Sequence, residues 1–140
     1  MTTPVFIDTN VLLYAVSTAE EERAERRVAR RVLEADDWGL SVQVLQEFYV
    51  NATGKLAHTL PEGETMRFLA HIMRRPVVAL TPDLFLRAIE VKNRYQISYW
   101  DAAVVAAAVT LGCHTLYTQD LSDGQDYDGV RAVDPFRSEV

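Results

Sequence analysis

The chain has 140 residues, of which 49% are hydrophobic and 24% charged, a composition typical of one globular domain with a substantial core. Its formal net charge of −6 argues against a protein that binds nucleic acid mainly by neutralising phosphates, although binding through divalent cations stays open. The lone Cys113 excludes an intrachain disulfide, and no apolar run is long enough to cross a bilayer.

The first half of the chain alternates short apolar runs with longer helical patterns. In chain order it predicts a strand at 5–7, a charged helix at about 18–35, a strand at 38–41, and a helix carrying the apolar stripe 44, 45 and 48. The charged helix begins with the capping-box pair Thr18 and Glu21. Before it, Asp8 or Thr9 could cap a helix over the apolar run that follows.

The second half continues this alternation with clear capping signals. It predicts a helix at about 64–74, strands at 77–80 and 115–117, helices at 82–95 and 98–111, and a further candidate strand at 130–133. Thr81 and Pro82 suit a helix start, Ser98 opens the next helix and Gly112 ends it. This last helix is apolar nearly all round, so we expect it to be buried.

Strands that alternate with helices are typical of a parallel sheet covered on both faces. The sequence therefore predicts a three-layer α/β/α domain over residues 1–140, with a central parallel sheet of four to five strands. Residues 1–15 lack the basic start of a signal peptide, and Asp8, Thr9 and Asn10 interrupt their apolar region. We therefore expect a cytoplasmic protein.

Four acidic residues lie near the carboxyl ends of the predicted strands, the edge at which such folds bind ligands. Asp8 directly follows the first strand, and Glu47 lies about one turn into the helix after the second. Asp101 lies in the first turn of the buried helix, and Asp120 just after strand 115–117. Carboxylates brought together repel one another without cations, and their hard oxygen atoms suit Mg²⁺ or Mn²⁺.

Each of these acids also has a structural explanation. Asp8 could cap a helix, Asp101 fits a capping box, and Glu47 could be a solvated helix position. Asp120 lies in a polar loop where acidic turn residues are common, and Asp123 could share or replace its role. The joint placement at one edge, more than any one residue, favours a metal site.

The sequences around these acids form motifs that run in order over nearly the whole chain. They read Phe6-Ile7-Asp8-Thr9-Asn10-Val11-Leu12-Leu13-Tyr14, Val44-Leu45-Gln46-Glu47-Phe48-Tyr49, Tyr99-Trp100-Asp101-Ala102-Ala103, and Tyr117-Thr118-Gln119-Asp120-Leu121 with Gly124-Gln125 and Asp134-Pro135-Phe136. In this combination the chain resembles PIN-domain nucleases and, among them, the VapC-type toxins of prokaryotic type II toxin–antitoxin modules.

The resemblance implies an endoribonuclease that cleaves RNA phosphodiesters with water activated by Mg²⁺ or Mn²⁺. The residues that it assigns to metal binding and catalysis are Asp8, Asp101, Glu47 and Asp120, and those at supporting positions are Asn10 and Thr118. It also implies a homodimer and a cognate antitoxin whose C-terminal segment covers the site. The closing segment has Asp134 where the family often has asparagine, a change that we expect to be structural and harmless.

Two other functions share parts of this pattern. A receiver-type phosphoacceptor domain also has acids at strand ends, but it needs a lysine after a late strand, and only Lys55 and Lys92 are candidates. A catalytically silent PIN-like module would use the acids only to hold a partner or a structural cation. The presence of all four carboxylates argues against the silent module.

Overall fold

The computed structural model describes residues 3–35, 37–54 and 60–137, and within them six strands form one sheet. The strands are β1 (Val5–Ile7), β2 (Trp38–Ser41), β3 (Val77–Val78), β4 (Thr115–Tyr117), β5 (Asp126–Tyr127) and β6 (Val130–Val133). Their order is β3-β2-β1-β4-β6-β5, and all neighbours are parallel except β5 and β6. The central strands are buried on both faces, and Phe6, Ile7 and Leu116 are fully inaccessible to solvent.

Helices flank this sheet and connect its parallel strands. They are α1 (Thr9–Val16), α2 (Arg23–Glu34), α3 (Val42–Ala52), α4 (Glu62–Ile72), α5 (Pro82–Tyr95) and α6 (Tyr99–Thr110). Helix α1 packs against α2 and α3, whereas α5 packs mainly against α6, of which residues 102–108 are all buried. The predicted three-layer α/β class is confirmed. Within the described ranges, every helix is too short or too polar to cross a membrane.

Side-chain caps fix where most of these helices begin. Thr81 and Ser98 cap α5 and α6 as predicted, and Pro82 occupies the first turn of α5. The predicted start at Thr18 is wrong, because α2 begins at Arg23 after a short 3₁₀ helix. Ser17 Oγ, one residue before Thr18, accepts a hydrogen bond from Ala19 N and donates one to the Glu22 carboxylate. These local hydrogen bonds favour a 3₁₀ helix over an α-helical turn at this point.

Strand β5 is the one strand of the described sheet that the sequence did not predict. It pairs antiparallel with β6 through a two-residue connection, Asp128-Gly129, which joins Tyr127 to Val130. Both connecting residues have positive φ, 55° and 91°, as a tight hairpin turn of this twist requires. An Asp-Gly pair between apolar residues is the sequence signal for such a hairpin, but the polar surroundings obscured it. The five predicted strands are confirmed, the third shortened to Val77–Val78.

Candidate metal centre

Asp8 lies at the end of the central strand β1 and is the N-cap residue of α1. Its Oδ1 accepts a hydrogen bond of 2.7 Å from Thr9 N, and its Oδ2 accepts one of 2.7 Å from the Thr118 hydroxyl. Only 5% of Asp8 is exposed, and this burial raises its pKa to about 7 although both hydrogen bonds oppose the shift. Each carboxylate oxygen can accept two bonds, so capping leaves Asp8 able to bind a further group.

Glu47 is held by two buried polar side chains. Thr9 Oγ1 donates to Glu47 Oε1 at 2.8 Å. Gln43, one turn earlier on α3, donates through Nε2 to Glu47 Oε2 at 3.4 Å and to the Trp100 carbonyl oxygen at 3.3 Å. Neither Thr9 nor Gln43 was predicted from the sequence to take part in the site. The sequence did contain one indication for Gln43: it is a polar residue four positions before Glu47 and therefore lies on the same helix face.

Asp120 reaches the same edge of the sheet from the loop after β4. Its backbone N–H donates to Thr118 Oγ1 at 3.0 Å, and the same hydroxyl donates to Asp8. Asn10 Nδ2 donates to Asp120 Oδ2 at 3.3 Å. Both residues predicted at supporting positions, Asn10 and Thr118, therefore contact predicted carboxylates.

Asp123 is engaged away from these contacts. Its Oδ1 accepts a hydrogen bond of 2.8 Å from Asp134 N, and Asp134 Oδ1 accepts one of 3.0 Å from Phe136 N. The Phe136 ring packs against Tyr14 with ring centroids 4.8 Å apart. An asparagine side chain would offer the same acceptor as Asp134, which supports a structural role for this residue.

Asp101 lies in the first turn of α6, where its backbone N–H donates to Ser98 Oγ at 3.1 Å. Partial burial raises the pKa of the Asp101 carboxyl, and the negative charges of Asp120 and Glu47 raise it further. The same two charges also raise the pKa of Asp8. Glu47 and Asp120 therefore act electrostatically on both Asp8 and Asp101, although the four acids come from four different segments.

These carboxylates do not converge on one point. Within the described ranges, no three acidic, histidine or cysteine side chains lie close enough together to hold a metal ion. The donors nevertheless suit a hard divalent cation, because burial and repulsion disfavour the ionised forms of Asp8 and Asp101, and a cation would reverse that effect. In addition, Asn10 Oδ1 is buried and accepts no hydrogen bond from any residue that the structure describes. It offers a neutral oxygen to a cation or to its bound water.

The family comparison covers all four acids. The model of the PIN domain matches residues 5–122, a segment that includes Asp8, Glu47, Asp101 and Asp120. The chain belongs to the PIN-domain family. No curated protein sequence is significantly similar to this PIN domain.

Solved structures share the same fold over nearly their whole length. A toxin–antitoxin complex from Klebsiella pneumoniae is 20% identical with a TM-score of 0.70, covering 94% of this PIN domain and 97% of that chain. VapC20 of Mycobacterium tuberculosis, a sarcin-ricin loop cleaving toxin, is 21% identical with a TM-score of 0.66, covering 91% and 98%. DNA-bound VapBC from Salmonella typhimurium is 18% identical with a TM-score of 0.64, covering 92% and 96%. At these identities the likeness establishes the fold.

Proposed function

We propose that this PIN domain is a metal-dependent endoribonuclease that hydrolyses RNA phosphodiesters with Mg²⁺ or Mn²⁺. The observation that carries the proposal is the hydrogen-bond network joining Asp8, Glu47 and Asp120 across three segments of the chain. Burial and, in addition, the charges of Asp120 and Glu47 raise the pKa of Asp8, and a bound cation would offset this repulsion.

In this proposal the chain's own residues bind and orient. The carboxylates that would contribute to holding the cation are Asp8, Asp101, Glu47 and Asp120, although they do not converge on one point in this structure. When bound, the cation lowers the pKa of a water molecule and stabilises the leaving oxygen of the phosphodiester. The Thr118 and Thr9 hydroxyls fix the carboxylates of Asp8 and Glu47, the kind of outer support that tunes a metal site. Asn10 Oδ1 supplies the acceptor for a water at the site.

We further propose that the protein is the toxin of a type II toxin–antitoxin module, acting as a homodimer with a cognate antitoxin. Support comes from the fold shared with proteins described as a toxin–antitoxin complex, as a sarcin-ricin loop cleaving toxin and as VapBC. Co-expression with the product of a neighbouring short reading frame should yield a complex. A protein that stays monomeric and forms no complex with such a product would contradict this part of the proposal.

The nuclease proposal is tested by incubating RNA with the wild type and with Asp8→Asn and Asp101→Asn, in Mg²⁺, in Mn²⁺ and in EDTA. We expect cleavage by the wild type with either metal, none in EDTA, and a loss of roughly 100-fold or more in both variants, because removing an anionic ligand weakens the bound metal. Asp37→Asn is the matched control, because Asp37 is exposed and follows α2. Undiminished cleavage by both site variants would refute the assignment.

A catalytically silent module is the remaining alternative, and the separation of the carboxylates is the observation that favours it. Calorimetric titration with Mn²⁺, run beside the cleavage assay, separates the two functions: metal binding without turnover favours the silent module. The receiver-type alternative lacks its lysine in the described ranges, since Lys92 lies on α5 and not after a strand. The other candidate, Lys55, lies outside the described residues.

A further inference from the structure

An exposed indole stands beside the candidate metal centre. Trp100 immediately precedes Asp101 and is 64% exposed, whereas residues 102–108 of the same helix are all buried. The other tryptophan, Trp38, is 2% exposed and lies at the start of β2, the opposite edge of the sheet. Trp100 therefore buries little apolar surface, and a contribution to folding stability does not explain why an indole is at this position.

Neighbouring side chains hold Trp100 at this position. The Tyr99 ring meets the indole edge-on, with ring centroids 5.0 Å apart and an interplanar angle of 82°. Phe85 packs against Tyr99 with centroids 5.9 Å apart. The Trp100 carbonyl oxygen accepts a hydrogen bond from Gln43, whose amide nitrogen also donates to Glu47. The backbone that carries the indole is thus tied to a candidate metal ligand.

We propose that the Trp100 indole stacks against a base of the RNA next to the cleaved phosphodiester, which makes it a positioning residue. The inference rests on the proposed function. Proteins recognise single-stranded RNA by stacking its exposed bases on aromatic side chains, and such stacking accepts any base because each has a π-face. A chain of net charge −6 gains little from attracting phosphates, so an uncharged contact is well suited to supply affinity.

The kinetic test compares the wild type, Trp100→Ala and Trp100→Phe on a single-stranded RNA of about 12 nucleotides, a typical footprint for such binding. Loss of one stacked base is expected to lower kcat/KM of Trp100→Ala by roughly 5- to 150-fold, and phenylalanine should restore most of it. Met73→Ala is the matched control, because Met73 is 56% exposed and precedes β3 at the opposite sheet edge. It should leave kcat/KM unchanged.

RNAs with one abasic position identify the stacked base. Moving the abasic position along the RNA should reveal one place where kcat/KM of the wild type falls as far as Trp100→Ala falls on intact RNA. The same abasic RNA should cost Trp100→Ala nothing further, because the contact is already absent. Additive losses at every position would overturn the proposal.

A binding measurement separates failure of this proposal from failure of the nuclease proposal. Because Trp38 is buried, acrylamide should quench mainly Trp100, and the same RNA, added with Ca²⁺ replacing Mg²⁺, should protect it. Protection of Trp100 in Ca²⁺, together with no cleavage in Mg²⁺ or Mn²⁺, would retain stacking and reject the nuclease. Unchanged kcat/KM in Trp100→Ala would reject stacking and retain the nuclease. If Trp100→Ala instead shifts the monomer–dimer equilibrium without coupling to an abasic position, the indole belongs to an interface between copies and the proposal fails.

Discussion

Replacing Asp8 with asparagine is expected to stabilise the metal-free protein above neutral pH. Burial raises the pKa of Asp8 from 3.8 to about 7, so the folded state holds this proton more tightly than the unfolded chain does. Ionisation therefore favours unfolding: the penalty is absent below the unfolded pKa, grows between the two values, and is complete above the folded one. A difference of about three pKa units corresponds to a penalty of about 4 kcal/mol at a pH of about 8.

Part of this gain is lost again because the substitution changes the hydrogen bonds of Asp8. Asparagine keeps an acceptor for Thr9 N. Its amide nitrogen, however, would face the Thr118 hydroxyl, which in the wild type donates to Asp8 Oδ2. The pKa of about 7 already includes the effect of these bonds on the ionised form, so the remaining loss is that of a hydrogen bond to the neutral carboxyl, about 1 kcal/mol. This leaves a net gain of about 3 kcal/mol at a pH of about 8. At a pH of about 5 the ionisation penalty is only about 2 kcal/mol, so the net gain falls to about 1 kcal/mol.

Urea unfolding of the wild type and Asp8→Asn in EDTA, at pH values of about 5 and 8, measures this difference directly. The exposed Asp37→Asn should follow the wild type at both pH values. A free-energy difference that does not change with pH, or an Asp8→Asn variant that is less stable at the higher pH, would refute the reasoning. If the proposed function also holds, Mg²⁺ should stabilise the wild type at the higher pH and have little effect on Asp8→Asn, because only the wild type retains the ligand.

Two further substitutions test the contacts around the site and sheet. Thr118→Val should lower the free energy of unfolding by about 1–3 kcal/mol, because it removes the hydroxyl that donates to Asp8 Oδ2, while Thr118→Ser should stay near the wild type in the same urea titration. Gly39→Ala should cost about 1–3 kcal/mol in thermal unfolding, because a Cβ there would lie 2.9 Å from the Pro76 carbonyl oxygen. Gly63→Ala, on the open face of α4, is its control and should be neutral or slightly stabilising; an equal loss in both would exclude the steric cause.

The sheet edge at which the acids lie could be predicted from the sequence because it depends on connectivity alone. Parallel strands bring their carboxyl ends to one edge, so Asp8 after β1 and Asp120 after β4 lie at the same edge of any such sheet. That they are neighbours there follows from the pairing of β1 with β4, which the structure supplies. Asp101 follows the same logic, because a helix that leads into a parallel strand begins at that edge. Asp8 does cap α1, and Asp101 does donate its backbone N–H to the cap residue Ser98. Neither bond excludes a site role, because each Asp8 oxygen can accept a second bond and the bond from Asp101 N leaves its carboxylate unused.

The contacts that orient the acids could not be predicted, because they depend on how helices pack. Thr9 and Glu47 are 38 residues apart, and Gln43 and Trp100 are 57 apart. Their meeting depends on the relative rotation of α1, α3 and α6, which the apolar pattern does not specify to within a hydrogen-bond length. The 3₁₀ helix before α2 was missed for a local reason, since Ser17 and Thr18 are adjacent and chemically similar caps.

The acidic site and the exposed indole both bear on how a negatively charged protein could bind a negatively charged RNA. A phosphodiester that approaches Asp8, Glu47, Asp101 and Asp120 meets negative charge in a protein whose net charge is already −6. Under the proposed function, a divalent cation reverses the sign of the charge at the reacting phosphate but acts only over a short distance, because salt screens exposed charges beyond about 10 Å. Affinity for the rest of the RNA must then come from contacts that do not require positive charge. Trp100, exposed and fixed next to Asp101, has the chemistry and the position for such a contact.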